Sequence, residues 1–403
     1  VNRALQVGRP ARSTAEGVAA SVLILMVGSF TVIGASANAP AISEALSLTP
    51  VGVGAIASIA YFGALSTSGY AGRRTDARGP VPVIAAGLLL LIAGNALAGL
   101  ALTAWLFFVG IYVCGLGYGA VNPATTVLSN PPDPRRRGLL MSIKQSGVPM
   151  GGILAGAVLP AVAMVAGWRA AFAVSLAVCV PVLAFILLRR RADIPVSDQD
   201  LHPHAISRRL TLPSGYLFGL LIAGTQVSIF AFTAVYLVED RGYSATDAGL
   251  GVSVLLAGGV VGRLFWGWLS DALMAHRLRL LQVIAGLGAA TLCALAVVPD
   301  PLTLPTLVLL GLCSVGWNGV YIAVVAESSV GTGVGRSTGT ALSLINLGAI
   351  VVPLLVGWLV HQTGAWWIGL LTLAATSLLA LLWAAVASES TVPVPLPEKE
   401  RQR

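Results

Sequence analysis

Long apolar runs of about twenty residues, separated by short polar breaks, recur from end to end of this chain, and that rhythm limits the fold more than any motif does. At a rise of about 1.5 Å per residue, a helix of about 20 apolar residues crosses a bilayer core. Twelve such segments are predicted, near residues 17–38, 50–70, 81–103, 105–128, 138–165, 168–188, 213–238, 246–269, 280–298, 303–326, 337–360 and 365–387. Of the 403 residues 56% are hydrophobic and only 10% charged, so no water-soluble core could hide the apolar surface. The first run follows Arg3, Arg9 and Arg12 and ends in Ala35-Ser36-Ala37, which imitates a signal-peptide cleavage site. Because Val18 to Ala37 is longer than a signal core of about 7–15 residues, it is expected to stay as the first span.

Positive charge orders these spans. When the connections are numbered alternately, twenty of the 24 lysines and arginines fall on one side: Arg3, Arg9, Arg12, Arg73, Arg74, Arg78, Arg135, Arg136, Arg137, Arg189, Arg190, Arg191, Arg208, Arg209, Arg277, Arg279, Arg336, Lys399, Arg401 and Arg403. Only Arg169 and Arg241 fall on the other, and Lys144 and Arg263 lie within spans. Retention of positive loops in the cytoplasm places both termini there and predicts a multi-pass inner-membrane protein, expected as a monomer. The basic excess therefore reflects loop topology in a lipid bilayer, and no nucleic-acid partner is expected.

The longest internal polar stretch, Arg189 to Leu212, bisects the chain. It predicts a helical bundle over 1–188, a cytoplasmic linker over 189–212, and a second bundle over 213–403 with a short cytoplasmic tail. An internal repeat agrees: Gly72-x-x-x-Asp76 returns as Gly267-x-x-x-Asp271, and Gly117 to Asn122 is echoed by Gly316 to Tyr321. Gly167-Trp168 and Ala365-Trp366 open spans 6 and 12. Similar offsets at three places indicate duplicated halves, giving an all-α fold of two pseudo-symmetric six-helix bundles.

Several chemistries are excluded. Cys114, Cys179, Cys293 and Cys313 lie in apolar segments without ligand spacing, and His202-x-His204 lacks a third ligand nearby, so neither metal nor cofactor is expected. No HExxH, membrane aspartate pair or Ser–His dyad points to an enzyme. Gly331-x-Gly333-x-Gly335-Arg336-Ser337 lacks the Gly-Lys-Ser/Thr ending of a phosphate loop, so ATP-driven transport is not expected either.

The loop Gly72-Arg73-Arg74-Thr75-Asp76-Ala77-Arg78-Gly79 resembles the signature between spans 2 and 3 of the major facilitator superfamily, and the likeness extends over essentially the whole chain. The resemblance implies alternating access between two halves, latched on the cytoplasmic side by Gly72, Arg73, Asp76 and Gly79 and by their counterparts Gly267 and Asp271. Physically, glycine permits close helix approach, and aspartate can cap a helix N-terminus or pair with arginine. Pro80 and Val81 replace the family's usual basic pair. In span 5, Gly147, Pro149, Gly151 and Gly152 resemble the Gly/Pro-rich motif of that helix, which implies bending and close packing at a moving seam. Ile111 stands where many proton-coupled members place an arginine.

A charge inside a span costs about 2.5–3.5 kcal/mol on insertion scales, which makes Lys144 and Arg263 functional candidates. The repeat sets Ser68 opposite Arg263 and Leu342 near Lys144, so neither charge is duplicated. Structural alternatives are that Arg263 pairs with Asp271 or a helix C-terminus and that Lys144 snorkels to the surface. Arg263-Leu264-Phe265-Trp266-Gly267 resembles the span-8 setting in which monocarboxylate and oxalate-type carriers hold a substrate carboxylate, although Gly259 stands where some of them carry an aspartate. A guanidinium suits that role because its fork donates two parallel hydrogen bonds.

The resemblance also places Gln226, Tyr118, Asn122, Trp317, Asn318, Tyr321 and Asn346 on cavity-lining spans, as a small and partly aromatic pocket. Glu239 and Asp240, then His361, are the candidates for proton coupling. The expected activity is secondary transport of a small organic anion, in the first place a carboxylate, with proton symport. Efflux of drugs or hydrophobic compounds by proton antiport and exchange of inorganic or sulfonate anions are the alternatives.

Overall fold

A computed structural model describes residues 10–48, 50–131, 133–189, 212–273, 276–329 and 333–389. The described residues hold helices α1 (Pro10–Ala37), α2 (Ala39–Leu46), α3 (Pro50–Arg78), α4 (Pro80–Gly99), α5 (Ala104–Ser129), α6 (Arg137–Ala166) and α7 (Trp168–Arg189) in the first half. The second half holds α8 (Leu212–Glu239), α9 (Ala245–Ala272), α10 (Arg277–Val297), α11 (Asp300–Ser314), α12 (Asn318–Glu327), α13 (Val334–Thr363) and α14 (Trp366–Glu389). Among the described residues, eleven helical segments are long and apolar enough to cross a membrane, α11 and α12 counting as one. The twelfth span is α3, which has the length but carries more glycine, serine and threonine.

Loop chemistry sets the ends. Gly79 at φ +80° and Gly167 at φ +82° reverse the chain between successive spans in a conformation that other residues rarely adopt. Pro80 then starts α4, where a missing N–H costs nothing. The linker with His202 and His204 and the tail beyond residue 389 lie outside the described residues.

Apolar packing divides the chain in two. Leu25, Ile84, Leu88, Val121 and Cys179 belong to one core, and Ile42, Phe107, Trp168 and Phe172 to another, all contributed by α1–α7. Leu255, Leu292 and Leu307 form a core within the second half. Phe218, Trp317 and Tyr321 centre another, which Met141 of α6 joins from the first half. Side chains that would meet lipid tails, such as Leu264, Phe265, Leu354 and Leu382, remain exposed.

Two features depart from the periodicity. A short helix, α2, follows the first span, and the tenth span is broken at Val315–Trp317 into α11 and α12. The break falls in Ser314-Val315-Gly316-Trp317-Asn318-Gly319, whose glycines and asparagine interrupt the apolar run although the span stays hydropathic as a whole. Gly147 and Gly151 press α6 onto the α1 backbone at Val22 and Met26, while Gly152 meets Ile33. The glycines of the Gly/Pro motif thus pack α6 within its own half, and Pro149 lies inside the same helix.

Candidate functional site between the two halves

The halves meet along two seams, α3 against α13 and α6 against α9 and α12. At the arginine-rich end of each, an aspartate caps a helix of the opposite half. Asp76 accepts hydrogen bonds from the backbone N–H groups of Gly335 at 2.8 Å and Arg336 at 2.7 Å. Asp271 accepts from Gly138 at 2.7 Å and Leu139 at 2.9 Å. A carboxylate at a helix N-terminus satisfies orphan donors and meets the positive end of the dipole.

Gly72 and Gly267 make these approaches possible. A Cβ on Gly72 would run into the Gly335 carbonyl, and one on Gly267 would lie 2.5 Å from Ser142 Oγ. Arg73 is exposed, and the contact that Asp76 supplies is the cap on the facing helix. The Asp271 side carries more charge. Arg277 pairs with Asp271 at 2.8 Å and with Glu327, Arg137 approaches Glu327 at 3.6 Å, and Arg277 donates to Pro134 O at 2.9 Å. Sequence reading missed this cluster because Arg137 and Glu327 come from stretches remote from the Asp271–Arg277 pair.

One face of α6 runs from this cap toward mid-span through Gly138, Ser142, Gln145 and Pro149, at i, i+4, i+7 and i+11. Here lies Arg263 of α9, with 2% of its surface exposed. Its Nε donates to Val315 O at 3.2 Å, the C-cap carbonyl of α11 and so the helix C-terminus of the structural alternative, and its Nη1 donates to the Gln145 carbonyl across the seam. Gln145 Nε2 in turn donates to Asn318 Oδ1. Among the described residues, no carboxylate lies within ion-pair distance of Arg263. Asp271 is engaged with Arg277 instead.

Lys144 is fully buried rather than snorkelling. Its Nζ donates to Thr126 Oγ1 at 2.7 Å, Asn122 Oδ1 at 3.1 Å and Asn122 O at 3.3 Å. An ammonium has three donors, so these contacts occupy all of them and tie α6 to α5 inside the first half. Lys144→Met is therefore expected to raise the transport KM less than about tenfold, through lost long-range attraction alone. A KM measurement in reconstituted vesicles checks it.

The other candidates are spread out. Trp317 Nε1 donates to Gln226 Oε1 at 2.8 Å, while Trp317 and Tyr321, 0% and 1% exposed, pack with Phe218 in the core of the second half. The aromatic pair thus backs the seam instead of facing open space. Asn346 Nδ2 donates to Ser68 Oγ at 3.3 Å across the other seam. Tyr118 is half-buried against α1 near Gly28. Glu239, Asp240 and His361 are exposed at the far ends of α8 and α13, remote from the caps, and Glu239 accepts from Trp366 Nε1 at 3.1 Å.

The comparisons bear on the family and the fold of these two helical halves. The sequence profile of the Major Facilitator Superfamily matches residues 19–327 and 216–403. The chain belongs to that superfamily. It is a membrane transporter and not an enzyme. It is 27% identical to the gentisate transporter of Corynebacterium glutamicum over 352 residues, 82% of this chain and 76% of that one. The probable nitrate/nitrite transporter of Mycobacterium tuberculosis is 28% identical over 220 residues, 52% of this chain and 54% of the relative. A crystal structure of the fucose:proton symporter of E. coli matches with a TM-score of 0.73 at 18% identity, over 93% of this chain and 99% of that one. This last likeness concerns the twelve-helix fold alone.

Proposed function

We propose that this major facilitator carries a small organic anion, a carboxylate in the first place, across the bacterial inner membrane by alternating access. Arg263 carries the reading: it is a buried cation between the halves, held by neutral carbonyls and facing no carboxylate among the described residues. A charge so placed costs several kcal/mol unless paired. A planar carboxylate is the partner that matches the guanidinium fork. Relatives named for gentisate and nitrate transport support an anionic cargo.

In this proposal the arginine-rich end faces the cytoplasm, and with both caps made the carrier is closed on that side. Opening to the cytoplasm then requires Asp76 and Asp271 to release their caps. Glu239, Asp240 and His361 stand at the opposite rim, where a coupled proton would enter. Counterflow in ATP-free proteoliposomes tests the proposal. Preloaded vesicles should accumulate labelled gentisate or another small carboxylate, and should leave neutral sugars and hydrophobic cations outside. Exchange of the cations in place of the acids would replace this reading with drug efflux.

A further inference from the structure

The two seams share a pattern and then diverge at one position. On each, an aspartate caps the facing helix and a glycine stands four residues before it, as Asp271 with Gly267 and Asp76 with Gly72. Four residues earlier again stand Arg263 on one seam and Ser68 on the other. The capped glycines Gly138 and Gly335 set the register between α6 and α13, and this register makes Asn346 the counterpart of Pro149. Ser68 meets the Asn346 side chain. Arg263 meets a backbone carbonyl instead, that of Gln145, four residues before Pro149.

That spacing has a chemical reason. A carbonyl inside a helix normally accepts from the N–H four residues on, and proline has none to give. Pro149 therefore frees the Gln145 carbonyl, and Arg263 of the opposite half takes it up. We propose that this freed carbonyl is the internal occupant of Arg263 in the unloaded carrier. It ties α9 to α6, and an incoming carboxylate displaces it, tipping the balance toward opening of the arginine-rich end. Displacement rests on the anion reading of Arg263 given above.

The exchange of partners is favoured because the guanidinium has a single neutral carbonyl there, whereas a carboxylate is charged and accepts two parallel bonds from the same fork. The same face of α6 is also incompletely satisfied in this closed state. Gln145 Oε1 and Ser142 Oγ are buried without hydrogen-bond partners. Groups left so are the ones that gain when a packed interface changes register.

Spin-label distances across the seam test the tether without any substrate. Labels at Arg135→Cys and Leu273→Cys, both exposed at the arginine-rich end, are placed in a Cys293→Ser background, which removes the exposed native cysteine. Pro149→Ala restores an N–H that closes the helical bond to Gln145 and is expected to raise the open-to-closed ratio about tenfold in ligand-free protein. Arg263→Ala should produce a similar rise, and the double variant no further one, since both remove a single interaction. Pro149→Leu also restores the N–H and serves if the alanine variant is poorly produced.

An unchanged distance distribution in Pro149→Ala overturns the tether. Full additivity in the double variant does so too, because Pro149 would then act only by shaping α6. For displacement, the KM for gentisate counterflow should fall about threefold in Pro149→Ala without a rise in maximal rate. An unchanged KM overturns that step. Wild-type-like gentisate transport by Arg263→Ala would instead remove the anion reading, leaving the ligand-free distances to decide the tether.

Discussion

Arg263→Ala is expected to lower kcat/KM for carboxylate transport by at least about a hundredfold. The estimate comes from two charge-assisted hydrogen bonds of about 1.5–3 kcal/mol each, made to substrate in a site with little competing water. Arg263→Lys retains the charge but replaces a rigid fork with a single flexible donor group, so a loss of about tenfold or more is expected there as well. Both variants need a folding check by thermal melting, because the Val315 and Gln145 carbonyls lose a partner. Lys144→Met is the contrasting case: its ammonium is already satisfied by Asn122 and Thr126.

The second large effect concerns the unequal caps. Asp271→Ala removes the acceptor for two backbone N–H groups and one partner of Arg277, whose side chain is 3% exposed. That pair lies within the second half and Arg277 keeps Glu327, so the loss is below the about 3–5 kcal/mol of a fully stranded charge and acts on closure through Arg277 and Glu327, which meet Pro134 O and Arg137 across the seam. Asp76→Ala loses two backbone bonds and no ion pair among those described, comparable with a lost helix cap at about 0.5–2 kcal/mol. The closed population of the 135/273 label pair should therefore collapse in Asp271→Ala and decline only partly in Asp76→Ala. Equal effects would mean that the Arg277, Glu327 and Arg137 cluster adds nothing to closure.

Much of the architecture could be read from residue order. Span length, the one-sided arginines and the repeated Gly-x-x-x-Asp are local patterns, and the structure joins both aspartates to helix starts of the opposite half. The site was harder to read because its partners are remote in sequence. Nothing local links Arg263 to Gln145, 118 positions away, or Lys144 to Asn122. One clue was available. Gly138, Ser142, Gln145 and Pro149 form a helical stripe of small and polar residues ending at a proline, and that stripe marks the face turned to the other half. Trp317 and Tyr321 could not be placed by type alone, since an aromatic residue in a span fits a pocket wall or a bundle core equally well.

Charge selectivity at Arg263 is the most direct test of the account. Wild-type and Arg263→Ala proteoliposomes would be compared for counterflow of one labelled acid, gentisate, and of its uncharged methyl ester. Rapid exchange of the acid by the wild type, exclusion of the ester, and loss of acid exchange in Arg263→Ala are expected. Equal handling of acid and ester by the wild type, or acid exchange by Arg263→Ala at the wild-type rate, would contradict the anion reading of Arg263.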